Sequence, residues 1–84
     1  MTRDEILDFL LRIFRDEFEI EDPGLDEDLR EVHGFDSIDA IELLGELERF
    51  LGSELTQEEK KSAMDIRTLK QIVDYVASLA AARD

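Results

Sequence analysis

The 84-residue chain has no cysteine, a single proline, a single histidine and only 10 basic residues against 23 acidic ones. Without cysteine there is neither a disulfide framework nor a thiolate metal site, so the scaffold of small secreted proteins is excluded. The shortage of bases leaves a net charge of −13. Phosphates would repel such a chain, which argues against nucleic acid and anionic membranes as partners. No apolar run has the length of a membrane span, and no signal peptide or lipidation motif is present, so a cytosolic protein is expected. The length predicts one small domain over residues 1–84, with room for a modest core and none for a large active-site cavity.

What is present is unevenly placed. Residues 1–15 carry three acids and three bases, residues 16–59 seventeen and two, and residues 60–84 three and five. The middle of the chain is therefore the expected interaction segment, and partners with basic patches are the ones its charge favours.

Four stretches read as helices. Thr2 and Glu5 form a Thr-x-x-Glu capping box for a first helix near 3–18, whose Ile6, Leu7, Phe9, Leu10, Ile13, Phe14 and Phe18 recur at helical spacing. A second helix runs from Asp36, the expected N-cap with Asp39 as its capping-box partner, to Gly52 as C-cap. Thr56 and Glu59 make a third box for a short helix near 57–64, and Thr68 is the expected N-cap of a last helix near 69–82. That helix would bury Leu69, Ile72, Val73, Val76, Leu79 and Ala80. Between the first two helices, Glu19 to Phe35 is acidic, holds Pro23-Gly24 and has no sustained period. It reads as a loop pinned by Leu25 and Leu29. The fold class is all-α: a small four-helix bundle with a short third helix and a long first loop.

The stretch Gly34 to Phe50 holds the candidate site. Ser37 falls at the first helical position, where unpaired N–H groups and the helix dipole favour an anionic substituent such as a phosphate ester. Wound at 100° per residue, Ala40, Leu43, Leu44, Leu47, Phe50 and Leu51 share the core arc, while Ile38 and Ile41 lie well outside it with Gly45 between them. Asp39, Glu42 and Glu46 run alongside. An apolar strip beside an acidic one reads as a docking surface.

Two other chemistries are suggested by residues upstream of this stretch. Asp22, Asp26 and Asp28 invite an EF-hand reading, but counting from Asp22 puts Glu27 where the loop needs glycine and His33 where it needs its final glutamate. No metal site is assigned. His33 stands four residues before Ser37, yet no third group or oxyanion hole accompanies the pair, so no catalytic residue is assigned either.

Gly34, Asp36, Ser37, Ile38, Asp39, Ile41, Glu42 and Leu43 match in register the pattern around the prosthetic-group serine of acyl carrier proteins, Gly-x-Asp-Ser-[Leu/Ile]-Asp-x-[Val/Ile]-Glu-Leu. Leu47-Glu48, Phe50, Thr68-Leu69 and Asp74-Tyr75-Val76 extend the resemblance over most of the chain. The resemblance implies a carrier and not an enzyme: 4′-phosphopantetheine on Ser37, its thiol holding acyl groups as thioesters for fatty-acid, lipid or polyketide synthesis. It implies a phosphopantetheinyl transferase and acyl-processing enzymes as partners, meeting Asp36, Ile38, Asp39, Ile41, Glu42, Gly45 and Glu46 on a monomer. It further implies that cargo enters the core at the serine end, through a mouth framed by Phe35, Ile41, Leu43 and Ile66 with Leu47 deeper. Two features depart from the family pattern. Gly45 stands where methionine is common, and His33 follows Val32 where leucine follows aspartate. An aminoacyl or peptidyl carrier, whose Gly-x-Asp-Ser-Ile-x-Ala-Ile run is similar, and an unmodified acidic helical adaptor stay open as alternatives.

Overall fold

The computed structural model describes residues 1–83; Asp84, the last residue of the expected 1–84 domain, lies outside them. Among the described residues every regular element is helical: α1 (Arg3–Phe18), α2 (Leu29–His33), α3 (Ser37–Leu51), α4 (Gln57–Ser62), a 3-10 turn (Ala63–Asp65) and α5 (Leu69–Arg83).

Local chemistry sets these boundaries. At the start of α1, α3 and α4 the box is closed in both directions: the cap side chain accepts the N–H of the third helical residue, whose carboxylate accepts the cap's N–H. At α5 the Thr68 hydroxyl accepts the Gln71 N–H at 3.2 Å, and the Gln71 side chain accepts the Thr68 N–H in return. Gly52 ends α3 in the left-handed conformation at φ 72°.

Three long helices make the core. Ile6, Leu10 and Phe14 enter it from α1, Leu43 and Leu47 from α3, and Leu69, Ile72, Val73, Val76 and Leu79 from α5. Ala40, Leu44, Phe50, Leu51 and Ala80, expected on buried arcs, are half-buried at its edges. Rings finish both sides: Phe9 stacks on Phe50, and Phe14, Phe18 and Phe35 form a triangle with centroids 5.2–5.7 Å apart.

The expected loop from Glu19 to Phe35 needs two corrections. It contains α2, a single five-residue turn of helix capped by the Asp28 carboxylate, which accepts the N–H groups of Arg30 and Glu31 at 3.0 Å each. Five residues with one core-facing position are too few to show a helical period. Leu25 does not pin the loop by its side chain, which is 47% exposed; its carbonyl does, accepting the Lys70 N–H at 3.0 Å. Leu29 is buried as expected, and Ile20 and Pro23 are buried with it. The expected third helix, 57–64, is shorter than predicted: its last turn tightens after Ser62 into the 3-10 geometry.

Neither α4 nor the 3-10 turn buries a residue. Polar contacts to α5 hold α4. The Arg83 guanidinium spans both Glu59 carboxylate oxygens at 2.9 Å each, and the Tyr75 hydroxyl donates to the Glu59 carbonyl. Arg83 also donates to Ser53 Oγ and to the Glu54 carbonyl, tying the α3–α4 connection to the end of α5.

Candidate functional site

The chain approaches Ser37 through a rigid corner. Gly34 closes α2 at φ 69°, its N–H bonded to the Arg30 carbonyl, and the Phe35 N–H donates to the Leu29 carbonyl at 3.1 Å. The Phe35 ring then anchors the strand-like step by packing on Phe14 and Phe18. Asp36 is extended, as an N-cap must be, and its Oδ1 accepts the N–H groups of Ile38 and Asp39 at 3.0 Å each. Asp39 Oδ2 accepts the Asp36 N–H at 3.1 Å.

These bonds bracket Ser37 and leave it free. It is exposed at the first position of α3, and among the described residues neither its hydroxyl nor its N–H has a hydrogen-bond partner within the chain. Of the other three serines, Ser53 accepts from Arg83, Ser62 donates to the Glu58 carbonyl, and Ser78 lies within α5. Ser37 alone combines an open hydroxyl with a helix start, where an attached phosphodiester would meet an unpaired N–H and the positive end of the dipole. The residues present fit that group.

Beside Ser37 the two faces of α3 separate as the winding predicts. Leu43 and Leu47 are 5% and 1% exposed, Ile38 and Ile41 67% and 69%. Glu42 is exposed and Asp39 half-buried along the same outer face. Glu46 is less available than the sequence suggests, because Arg49 one turn on forms an ion pair with it. Val32 on α2 and Met64 in the 3-10 turn are further exposed large apolar side chains. Each stands alone in a short polar segment, where no pattern marks it.

His33 ends α2 with Nε2 3.1 Å from Glu27 Oε1. That carboxylate also accepts the Gly24 N–H at 2.6 Å, and the Gly24 bond first, then His33, holds its pKa below the ordinary value. The pair ties α2 back to the turn before it.

Four of the five residues expected at the cargo mouth share one apolar cluster. Leu43 and Leu47 are in the core, and Phe35 and Ile66 pack against it half-buried. Ile41 is exposed on the outer strip. Its helical position relative to Leu43 is about 200° away, so one of the pair must face out when the other faces in. A surface groove of about 530 Å³ runs between α4, the 3-10 turn and α5; of the expected mouth residues it takes only Ile66, together with Tyr75 and Leu79.

The phosphopantetheine attachment site family matches residues 8–76, with Ser37 inside the matched span. The chain is 36% identical over 84 residues to acyl carrier protein 2 of Ralstonia nicotianae, covering 98% of this chain and 100% of that protein. It is 36% identical over 78 residues to the acyl carrier protein of Rubrobacter xylanophilus, covering 90% and 93%. No solved structure gives a significant match.

Proposed function

Given that the chain belongs to the acyl carrier protein family, we propose that Ser37 is the residue to which its 4′-phosphopantetheine is attached. Family membership decides between a carrier and an unmodified adaptor. The protein is a carrier and not a catalyst, acted on by a phosphopantetheinyl transferase and by acyl-processing enzymes. When bound, the prosthetic group supplies a thiol that holds acyl groups as thioesters, in a chain that has no thiol of its own.

The observation that carries the assignment is the free hydroxyl of Ser37 at the first position of α3, set between the two carboxylates of a closed capping box. The box holds the serine in place while leaving its Oγ without an internal partner. The helix start favours the diester's negative charge, and the carboxylates of Asp36 and Asp39 repel it, so the arm is directed away from the helix. Intact mass after incubation with coenzyme A and a phosphopantetheinyl transferase tests this. The unmutated chain gains one phosphopantetheinyl mass and Ser37→Ala gains none; an equal gain on both would put the group elsewhere.

Partner enzymes meet the outer face of α3. Asp36, Asp39 and Glu42 attract a basic groove, Ile38 and Ile41 supply apolar contact, and Glu46 joins when a partner's base displaces Arg49. The acidic face supports an acyl over an aminoacyl cargo, in fatty-acid, lipid or polyketide synthesis. A single-domain, monomeric, cytosolic carrier is the corresponding reading of a small cysteine-free chain in which no described helix is long and apolar enough to cross a membrane. A long acyl chain gains about 0.8 kcal/mol per CH₂ by leaving water, and the serine end of the core, at Phe35, Leu43, Leu47 and Ile66, is the apolar volume nearest its tether. Methyl NMR signals of Leu43, Leu47 and Ile66 should then move further as the cargo lengthens. Shifts confined to the neighbourhood of Ser37 at every chain length would mean the cargo stays outside.

A further inference from the structure

The bases of this acidic chain differ in what they bind. Arg3, Arg15, Arg49 and Arg83 are each paired with a carboxylate, whereas Lys61 and Arg67, both exposed, form no ion pair among the described residues. These two belong to a segment of opposite sign to the chain as a whole: residues 60–70 hold Lys60, Lys61, Arg67 and Lys70 against Asp65 alone, directly after a stretch of seventeen acids and two bases. Between them stands Met64, 73% exposed in the 3-10 turn. Lys61 precedes it by three residues, one turn of such a helix, and the Arg67 guanidinium donates to the Met64 carbonyl at 3.1 Å. A single exposed apolar residue is ordinary. One set between two free bases, in a chain of net charge −13, is the complement of an acidic surface with an apolar centre.

The segment lies at the serine end of the molecule. The Leu29 N–H donates to the Arg67 carbonyl at 2.8 Å and the Phe35 N–H donates to the Leu29 carbonyl at 3.1 Å, so residue 67 is joined through one residue of α2 to the step that leads into Ser37. An interface of ordinary size covers about 800 Å² on each partner, a disc of roughly 16 Å radius. On a molecule measuring 33 × 25 × 20 Å, such a footprint centred on Ser37 extends past the strip of α3 to this turn. We infer that Lys61, Met64 and Arg67 form a second contact of the docking face, opposite in sign to the first, and that the phosphopantetheinyl transferase meets it with an apolar site flanked by carboxylates. This rests on the assignment of Ser37 made above. The two contacts do different work. Acids on α3 alone would draw in any basic groove without fixing its rotation about the serine. With bases at the turn, only one orientation pairs both signs, and a wholly basic partner is repelled there.

The test compares the unmutated chain with Lys61→Glu and Met64→Ser as substrates of its cognate phosphopantetheinyl transferase with coenzyme A, alongside thermal melting of each. Lys61→Glu separates the inference from simple charge attraction. It makes the chain more acidic, so a partner that reads acidity alone would bind it more tightly and KM for the carrier would fall. The inference expects the reverse: KM should rise about fivefold in Lys61→Glu and about threefold in Met64→Ser, with kcat little changed because neither residue touches the serine. Both residues are exposed, so the melting temperatures should stay close to that of the unmutated chain. Met64→Ser alters no charge and carries the test should the reversal at Lys61 loosen α4. An unchanged or lower KM in either variant of normal melting temperature would overturn the inference and leave the Ser37 assignment standing. No mass gain even on the unmutated chain would overturn that assignment and the inference with it.

Discussion

Helix α5 sends five side chains into the core and α4, packed beside its C-terminal half, sends none. The first is held by apolar burial, the second by a guanidinium, a phenol and a carboxylate. The contrast shows how a small acidic domain divides its work. The apolar core is drawn from the inner faces of α1, α3 and α5, whereas the acidic stretch 16–59 carries the serine and the docking strip on the outer face of α3 and the start of α4.

Breaking the core should have the largest effect. Phe14→Ala removes a fully buried ring together with its contacts to Phe18 and Phe35, at a cost of about 3–5 kcal/mol, comparable with the whole stability of a domain this size. Urea melting should find this variant largely unfolded, and a midpoint near that of the unmutated chain would show that the core collapses around the loss. The acidic stretch should respond next. Salt or millimolar Mg²⁺ screens seventeen acids set against two bases and should raise the melting temperature; no change with either would mean the carboxylates are already well spaced. Asp36→Ala leaves the Ile38 and Asp39 N–H groups without their acceptor and should cost about 1 kcal/mol in a chemical melt.

The α4 latch gives the smallest and most local effect. Bonds from Arg83 first, and from the Thr56 N–H, hold the Glu59 pKa at about 2 against an ordinary 4.5. A carboxylate with a lowered folded pKa stabilises fully above its unfolded value, and that contribution is lost as pH falls from 4.5 through 2. In Arg83→Gln the acid dependence over that window should shrink, and amides of α4 should exchange faster while those of α5 keep their protection. Uniform loss of protection across both helices would show that α4 and α5 open together.

How legible each part was follows from the range over which its signal acts. The starts of α1, α3 and α4 were readable to the residue because a capping box is complete within four positions. The outward turn of Ile38 and Ile41 was readable because period alone separates them from Leu43 and Leu47. α2 was hidden, since one turn has no period, although its Asp28 cap was in view. The Arg83–Glu59 latch was hidden for the opposite reason: its partners are 24 residues apart and only the packing of α4 on α5 brings them together.

The central claim is that the open serine at the head of α3, and no other residue, receives the prosthetic group. After reaction with coenzyme A and a phosphopantetheinyl transferase, fragmentation of the proteolytic peptides locates the added mass. It should lie on Ser37, with Ser53, Ser62 and Ser78 unmodified. The group on any of those three, or on none of the four, would contradict the account.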